Sequence, residues 1–449
     1  MGLSKDGLIK IIKEAGVAGA GGAGFPTHVK LDHPAEYFIV NIAECEPLLK
    51  VDQQLAFHFA EEIVRVLDLF HDVLAIKKIR IAIKKKYEAA VERFSSLIRD
   101  KKHIELFYLE DCYPAGDEQD IVYHVTGRII PEGGLPLDAG AIVDNVGTVL
   151  NIYEALFEDK PVTHRWLTVA GEVRHPQTLN LPVGTLVRDV LRLCGGPLIK
   201  EYVLIDGGPM MGKLVSEEDT VNKTTSGLLL LPAGHPMIRR KKQTIEEQIR
   251  LSRSVCEQCF MCTESCSRYI LGHQDLKPHL MMRRISYLNQ YNLGEYTDAF
   301  LCSQCGLCSY YACPQLLSPK DVYKFLRDAL VRNKVGNPFR GRAVAQTHPM
   351  YPYRRIPIDK LKLKLDVKRY DHKAAMNLEK NNIREVKISL KQHAGNAPRP
   401  VVKEHQQVRE GELIADLAGD SSPGVRLHSS ISGTVKQITE DHILIEKVS

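Results

Sequence analysis

Eight of the eleven cysteines lie in two short runs whose spacing is typical of iron–sulfur ligands. Each run begins C-x2-C-x2-C and adds a fourth cysteine a few residues later. The ligands are Cys256, Cys259, Cys262 and Cys266 in the first run, and Cys302, Cys305, Cys308 and Cys313 in the second. Three thiolates at this spacing wrap one cubic cluster from a short loop, and a fourth completes the coordination shell. The sequence therefore predicts two [4Fe–4S] clusters and the transfer of single electrons.

Zinc and disulfides explain these runs less well. Structural zinc is satisfied by C-x2-C pairs separated by a longer loop, so the third closely spaced cysteine of each run has no role. A disulfide framework requires an oxidising compartment and is typical of shorter chains. The remaining thiols, Cys45, Cys112 and Cys194, are predicted to be packed in the fold rather than to bind metal.

The partition of the eight ligands between the two clusters stays open at this point. In two-cluster ferredoxins the fourth cysteine of each run ligates the other cluster. By that rule Cys313 joins the first three cysteines of the first run, and Cys266 joins the first three of the second. The first run, however, lacks the proline that follows Cys313.

The composition indicates a large protein without a membrane span. A chain of 449 residues, 44% of them hydrophobic, can build three or four domains with separate cores. The formal net charge of +5 implies no nucleic-acid-binding surface. No uncharged apolar stretch is long enough to cross a membrane, and Lys10 and Lys13 interrupt any signal-peptide segment. We therefore expect the protein in the reducing cytoplasm.

The first third of the chain alternates strand and helix patterns. Strand-like apolar runs at 37–41, 79–83 and 104–109 alternate with helical patterns at 55–70 and 87–99. This alternation predicts a parallel sheet covered by helices, with ligands bound beyond the carboxyl ends of the strands.

The rest of the chain divides into smaller modules. Residues 166–214 have the pattern of a β-grasp module, and the cysteine segment, helical at 268–300, resembles the all-helical two-cluster ferredoxins. Basic residues with poor apolar periodicity at 351–373 predict a linker or a meandering arm. The tail contains the half-motifs V-x-x-G-x-L-I-A and H-x-x-I-x-G-x-V, which predict a barrel-sandwich module of the biotinyl/lipoyl type. Residues 416–430 between them contain no lysine, so this module is expected to dock rather than to carry an acyl group.

A glycine-rich loop at 19–27 is the main candidate for a phosphate site. Glycines let backbone N–H groups approach a phosphate, and Lys30 adds a positive charge nearby. The loop is neither a Walker A motif nor a clean G-x-G-x-x-G after a strand. Taken alone, the loop is a weak signal, because a flexible turn can also be rich in glycine.

Four motifs give the glycine loop a specific interpretation. They are G-G-A-G-F-P-T-x-x-K at 21–30, N-x-x-E-C-E-P at 41–47, Y-P-A-G-D-E-Q at 113–119 and D-N-V-G-T at 144–148. In this order they resemble the flavin-binding motifs of the NADH-oxidising subunit of respiratory complex I. The second motif is similar to the variant found in the RnfC protein of the Rnf complex.

The resemblance implies contacts to FMN and to NADH. The flavin phosphate would be held by the backbone of Gly21, Gly22 and Gly24 and by the amine of Lys30. Asn145 and Thr148 would close the phosphate side. The isoalloxazine or ribityl edge would contact Asn41 and Glu44. Phe25 would stack on the nicotinamide or adenine, and Tyr113 and Glu118 would face the nucleotide. No side chain is expected to act as acid or base, because the redox chemistry belongs to the cofactors.

The order of the modules favours one branch of this family. RnfC proteins place the barrel-sandwich module before the flavin domain, whereas here it is C-terminal. This order resembles the PduS-type cobalamin reductases of propanediol-utilisation microcompartments. The expected fold class is α/β multidomain, with a Rossmann-like flavin/NADH domain, a β-grasp (SLBB-like) module, an α-helical two-cluster ferredoxin domain and a barrel-sandwich (lipoyl-like) module. The expected boundaries are 1–160, 161–235, 236–345, a basic linker at 346–385, and 386–449.

The resemblance implies an NADH-dependent oxidoreductase that passes electrons from NADH through FMN and two [4Fe–4S] clusters to cob(II)alamin. It also implies an adenosyltransferase and shell proteins as partners, and a location inside a bacterial microcompartment. Three alternatives stay open: an Rnf-like component of an NAD:ferredoxin oxidoreductase, a non-enzymatic iron–sulfur relay or docking protein, and a related reductase that serves a selenoenzyme or another microcompartment pathway. Ala20, Ala43 and Asp144 keep the relay open, because the complex I pattern has arginine, aspartate and asparagine there.

Overall fold

The computed structural model describes residues 2–286, 292–379, 381–419 and 423–447. The N-terminal domain contains α1 (Lys5–Glu14), α2 (Thr27–Leu31), β1 (Tyr37–Ile42), α3 (Val51–His58), α4 (Ala60–Leu74), β2 (Lys78–Lys84), α5 (Glu88–Leu97), β3 (Ile104–Leu109), β4 (Cys112–Tyr113), α6 (Glu118–Thr126), a 3-10 turn (Pro136–Ala139), β5 (Ala141–Asn145) and α7 (Val146–Phe157). Strands β3, β2, β1 and β5 form a sheet in that order, and every pair is parallel. The predicted parallel sheet is confirmed, although the helix expected at 55–70 is divided into α3 and α4.

Strand β1 is buried on both faces, as expected for the centre of a parallel sheet covered by helices. Phe38, Val40 and Ile42 pack in the core that α1, α4 and α7 share, whereas Ile39 packs with Ile121 of α6 on the other face. This burial fixes the sheet, so that the carboxyl ends of β1 and β5 open beside the glycine loop.

The β-grasp module is a mixed sheet with one helix. It contains β6 (His164–Gly171), β7 (Gln177–Pro182), α8 (Val187–Leu193), β8 (Tyr202–Asp206), β9 (Lys213–Val215) and β10 (Gly227–Pro232). Strands β6 and β10 are parallel, and the pairs β6–β7, β10–β8 and β8–β9 are antiparallel. Helix α8 buries Val187, Val190 and Leu191 against this sheet.

The cysteine domain is helical, as its sequence predicts. It contains α9 (Pro236–Lys242), α10 (Ile245–Val255), α11 (Met261–Glu264), α12 (Ser267–Ile270), α13 (Pro278–Ser286), a 3-10 helix (Leu293–Leu301), a π-helical turn (Leu307–Ala312) and α14 (Pro319–Arg332). Part of the helical pattern expected at 268–300 lies outside the described residues. Thr244 and Glu247 form a capping box that begins α10. That cap directs α10 into the first cysteine run.

The segment expected to be a basic linker, within 346–385, is instead a strap that joins two domains. It contains a 3-10 turn (Tyr351–Tyr353), β11 (Ile356–Pro357), α15 (Ile358–Lys364), another 3-10 turn (Lys368–Tyr370) and β12 (Ala375–Asn377). Strand β11 pairs with β4, and β12 extends the β-grasp sheet beside β7. Leu361, Val367 and Tyr370 are buried in a core that also includes Cys305. The spacing of these apolar residues matches the surface on which they dock and has no helical or strand period. The sequence alone therefore did not reveal the elements of the strap.

The C-terminal module is a pair of small antiparallel sheets. It contains β13 (Glu385–Ser389), β14 (Arg399–Pro400), β15 (Gln407–Val408), β16 (Leu413–Asp416), β17 (Leu427–His428), β18 (Gly433–Ile438) and β19 (His442–Glu446). Each predicted half-motif contributes two strands, β15 and β16 from one and β17 and β18 from the other. The module docks on the glycine loop, where the backbone N–H of Ala394 donates to the carbonyl of Gly24 over 3.0 Å. None of the described helices is long and apolar enough to span a membrane.

Lys223 joins three of these modules. From the β-grasp module its Nζ donates to the carbonyls of Gly16 (2.7 Å) and Arg426 (2.9 Å), which belong to the N-terminal domain and the C-terminal module. Burial lowers the pKa of Lys223 from 10.5 to about 7. Above that pH, the folded protein therefore lacks a proton that the unfolded chain still holds.

This burial makes the stability of the fold depend on pH. Because the unfolded state binds more protons between pH 7 and 10.5, the free energy of unfolding should rise with pH in that window, by about 1.4 kcal/mol per unit. We expect wild-type protein to gain about 2 kcal/mol between pH 7 and 9 from this group. Urea unfolding at several pH values would measure the slope. Lys223→Met should flatten it, whereas Lys391→Met, at an exposed position, should not; equal slopes in all three proteins would contradict the assignment.

Candidate functional site

A cavity of about 210 Å³ lies at the carboxyl ends of β1 and β5, beneath the glycine loop. Eight of the eleven residues expected to bind FMN or NADH line it: Gly21, Gly24, Phe25, Lys30, Asn41, Glu118, Asn145 and Thr148. They come from four separate motifs, which the parallel sheet brings to one edge. Leu135, Pro136 and Leu137 add an apolar wall that the sequence did not indicate.

The glycine loop is held by one side chain of its own domain and by one of the β-grasp module. The Ala20 N–H donates to Thr148 Oγ1 over 2.8 Å, and the Arg165 guanidinium donates to the Ala20 carbonyl over 2.7 Å. Gly24 has a φ of +63°, and a Cβ there would lie 2.9 Å from Thr224 Cγ2. Glycine is therefore required at this point of the loop.

Arg165 is a buried residue that the sequence did not single out. Its Nε also donates to the Thr225 carbonyl over 2.6 Å, so it connects the loop to the β-grasp module. Burial lowers the pKa of its guanidinium. The complex I pattern has arginine at position 20, and in this chain a guanidinium reaches position 20 from β6 instead. Only the packing of two domains could have indicated that replacement.

Lys30 is the charged centre of the cavity. Its Nζ donates to the Val143 carbonyl (2.7 Å) and to carboxylate oxygens of Asp144 and Glu118 (3.2 Å each). Burial by itself lowers the pKa of Lys30, but the two carboxylates outweigh it, and the pKa rises above its ordinary value. Lys30 is therefore a fixed positive charge beside the glycine loop.

Two asparagines set the polar floor of the cavity. Asn41 donates to the Gly116 carbonyl over 3.0 Å. Asn145 caps α7 by accepting from the Gly147 N–H over 2.8 Å, and it donates to Asp52 over 2.8 Å. Burial raises the pKa of Asp52 to about 6. These bonds fix which amide atoms face inward, so the floor is preorganised.

Three expected site residues lie away from the cavity lining. Glu44 is turned behind β1, where its Oε2 accepts from the Asp52 N–H over 2.9 Å and burial raises its pKa. Tyr113 is buried, and its hydroxyl donates to the Cys305 carbonyl over 2.6 Å, toward the cysteine domain. Gly22 lies at the exposed turn of the loop. The direct cofactor contacts that the resemblance implies for these three residues stay predictions.

The eight cysteines form two groups of four, each lining its own cavity. The distal quartet contains Cys256, Cys259, Cys262 and Cys313. The proximal quartet contains Cys266, Cys302, Cys305 and Cys308. Each quartet takes its fourth thiol from the other run, which is the crossed arrangement of two-cluster ferredoxins. Within the described ranges, no three His, Cys, Asp or Glu side chains could hold a single metal ion.

The two cysteine runs have the same local backbone. Gln258 and Gln304, at equivalent positions, have φ values of 54° and 64°. Their Nε2 atoms donate to Cys256 Sγ and Cys302 Sγ, each over 3.2 Å. Such N–H···S bonds to a ligand are among the interactions that set cluster potential. The repeated C-x-Q-C sequence was the available signal for them.

The proximal quartet adjoins the N-terminal domain. Besides the bond from Tyr113 to the Cys305 carbonyl, Arg268 of α12 donates to Asp117 over 3.0 Å. Asp117 lies between Gly116 and Glu118, which both line the glycine-loop cavity. One short segment of the chain therefore contacts both sites.

The β-grasp module covers the proximal quartet. Lys320 donates to the Met210 carbonyl over 3.3 Å, and the Met210 N–H donates to Glu46 over 2.9 Å. Gly306 has a φ of +82°, and a Cβ there would lie 3.0 Å from the Tyr310 ring and 3.2 Å from the Met210 carbonyl. The covering loop thus requires glycine at 306.

The distal quartet lies at the surface. Cys259 is exposed. The residue equivalent to Gly306 is Phe260, which is 51% exposed, and Leu316 beside the quartet is 53% exposed. The two quartets therefore differ in their access to external partners.

Comparison with known proteins assigns each domain. The chain matches the Nuo51 FMN-binding domain over residues 12–154, the SLBB domain over 167–214, the 4Fe-4S dicluster domain over 255–318 and the RnfC barrel sandwich hybrid domain over 367–447. The expected fold class and module order are confirmed. The chain is a flavin and iron–sulfur electron-transfer oxidoreductase.

Full-length relatives narrow this assignment. The chain is 38% identical to cobalamin reductase PduS of Salmonella typhimurium, covering 99% of this chain and 97% of the relative. It is 39% identical to cobalamin reductase PduS of Citrobacter freundii, covering 97% and 95%. The RnfC-type component of the Na⁺-translocating ferredoxin:NAD⁺ oxidoreductase complex of Acetobacterium woodii is 33% identical, covering only 59% and 58%. The chain therefore belongs to the PduS family of cobalamin reductases.

Proposed function

We propose that this chain passes electrons from NADH through FMN, the proximal cluster and the distal cluster to cob(II)alamin. The observation that carries the proposed order is the position of the two quartets. The proximal quartet adjoins the domain that contains the glycine-loop cavity, and the distal quartet has an exposed cysteine. Electrons entering at the cavity would then leave at the surface.

The glycine-loop cavity has the groups that FMN would require. Backbone N–H groups of the loop and the Lys30 ammonium would hold the phosphate. Asp144 Oδ2 is buried, lines the same cavity and has no partner in the described part of the chain, so it can accept a hydrogen bond from a ligand. When bound, FMN would supply the exchange between a two-electron donor and one-electron clusters.

The proposals of NADH as donor and of cobalamin as acceptor rest on different observations. Phe25, Glu118 and the apolar wall at 135–137 line the cavity and would face a nucleotide bound beside the flavin. Cobalamin is inferred from the names of the PduS relatives. An adenosyltransferase, shell proteins and a location in a propanediol-utilisation microcompartment are proposed on the same basis.

Anaerobic turnover tests this electron path. Protein with reconstituted clusters and bound FMN would be mixed with NADH and cob(II)alamin, with an adenosyltransferase present to trap cob(I)alamin. We expect NADH-dependent loss of the cob(II)alamin absorbance. Cys259→Ser should keep NADH-driven reduction of the proximal cluster while losing most cobalamin reduction, because only the distal cluster is altered.

A ferredoxin as the alternative acceptor separates this proposal from its rivals. Reduction of ferredoxin but not of cob(II)alamin would favour the Rnf-like function suggested by the partial match to the Acetobacterium woodii protein. If NADH fails to reduce the flavin, the chain is better described as a non-enzymatic iron–sulfur relay. Full cobalamin reduction by Cys259→Ser protein lacking an intact distal cluster would overturn the proposed order.

A further inference from the structure

A second cavity lies at the carboxyl ends of β1 and β2 and shares no lining residue with the glycine-loop cavity. Its volume is about 500 Å³. It is lined by residues of α3, of the turn before α5, of the first turn of α5 and of the strap. Ligands of open parallel sheets bind beyond the carboxyl ends of the strands. The cavity lies beyond two of these carboxyl ends, whereas the switch point of the sheet, between β1 and β5, is the position of the glycine-loop cavity.

The charged side chains of this cavity favour an anion. Three lysines and one glutamate line it. Lys50 pairs with Asp371 over 2.7 Å, and Lys86 pairs with Asp111 over 2.6 Å, at the surface. Lys373, from the strap, forms no ion pair with any residue that the structure describes. Its ammonium is therefore available to a ligand.

Backbone donors add to the positive potential. Helix α5, ten residues long, begins in the cavity, and its N-cap residue Tyr87 provides no side-chain hydrogen bond. The N–H groups at the start of such a helix need acceptors, and the helix dipole favours an anion there. Ala89 and Ala90, in that first turn, line the cavity.

A further polar atom of the cavity indicates a ligand larger than a simple ion. Gln54 Oε1 is buried without a hydrogen-bond partner among the described residues, while its Nε2 donates to the Ala374 carbonyl over 2.8 Å. An unpaired buried acceptor is costly unless a ligand supplies a donor. Phe57 and Tyr87 provide aromatic surface in the same cavity. A ligand with a phosphate, a hydroxyl or amine donor and a flat ring would satisfy all these groups.

We propose that this cavity binds the phosphate group of a small organic phosphate of the nucleotide class. The phosphate would contact Lys86, Lys373 and the start of α5, and the ring would lie against the aromatic side chains. The site is separate from the FMN and NADH contacts, so it does not depend on the proposed electron path. Inorganic phosphate shares the anion chemistry and would bind more weakly.

Calorimetric titration tests the site. The reconstituted protein, saturated with FMN and NAD⁺ so that the glycine-loop cavity is filled, would be titrated with ADP and separately with inorganic phosphate. We expect saturable binding of ADP, weakened about tenfold or more in Lys86→Ala and in Lys373→Ala through loss of a charge-assisted contact. Glu88→Gln should tighten binding, because it removes the one lining carboxylate.

Matched controls separate this site from general surface charge. Lys85 is exposed, adjoins Lys86 and does not line the cavity, so Lys85→Ala should bind ADP as the wild type does. FMN content and NADH-driven flavin reduction should be unchanged in all these variants. Absence of saturable binding by either probe, or an equal loss in Lys85→Ala, would overturn the proposal. Binding of inorganic phosphate alone would support the anion site and identify the free ion as its ligand.

Discussion

Lys30→Met is expected to abolish FMN binding and to lower the free energy of unfolding of the N-terminal domain by about 3–5 kcal/mol. The Lys30 side chain is 15% exposed and that of Asp144 is 1% exposed, so removing the ammonium leaves a buried carboxylate unpaired. The second partner, Glu118, is 44% exposed and can be solvated, so it adds little to the cost. Fluorescence titration with FMN and urea unfolding would measure the two effects.

A double variant separates the two roles of Lys30. Asp144→Asn removes the buried charge and introduces the asparagine of the complex I pattern. Lys30→Met/Asp144→Asn should therefore recover most of the lost stability, while FMN binding should stay absent because no ammonium faces the phosphate. Asp144→Asn alone should retain FMN. If the double variant binds FMN with wild-type affinity, Lys30 serves only to neutralise Asp144.

The sequence predicted the parts of the fold that depend on local patterns. The alternation of apolar runs predicted the parallel sheet, because strands β1 and β2 are mostly buried on both faces and helix α4 is amphipathic. The cysteine spacing predicted all eight thiols of the two quartets, because the first three cysteines of each run line one cavity from a single short loop. Local patterns also explain the limits of α1: the side chain of Ser4 caps its start, and Gly16, with a φ of +66°, follows its end.

The features that sequence reasoning missed depend on contacts between distant segments. Arg165 reaches Ala20 across 145 positions, and Lys223 reaches Gly16 across 207. The apolar residues of the strap have no helical or strand period in the sequence, because their spacing matches the surfaces of two other domains. Motif resemblance gave residue types but not the direction of each side chain. The hydroxyl of Tyr113 donates to the Cys305 carbonyl, a contact with the proximal quartet that its motif did not suggest.

The crossed arrangement of the quartets has a direct spectroscopic consequence. Cys313 lies in the second run but lines the distal cavity, and Cys266 lies in the first run but lines the proximal one. Loss of one thiolate should destabilise the cluster it ligates, so Cys313→Ser and Cys266→Ser should each lose up to about half of the iron. Cys313→Ser should damage the distal cluster, which the first run mainly holds. Cys266→Ser should damage the proximal cluster, which the second run mainly holds.

Pairs of variants make this expectation sharp. The EPR spectrum of dithionite-reduced Cys313→Ser protein should match that of Cys259→Ser, and the spectrum of Cys266→Ser should match that of Cys305→Ser. Serine at each position keeps the size of the side chain, so a common folding defect would affect all four variants alike. If Cys313→Ser instead matched Cys305→Ser, each run would hold its own cluster. The Tyr113 and Arg268 contacts would then adjoin a cluster ligated by the second run alone, and Cys266, two residues from Arg268, would belong to the distal one.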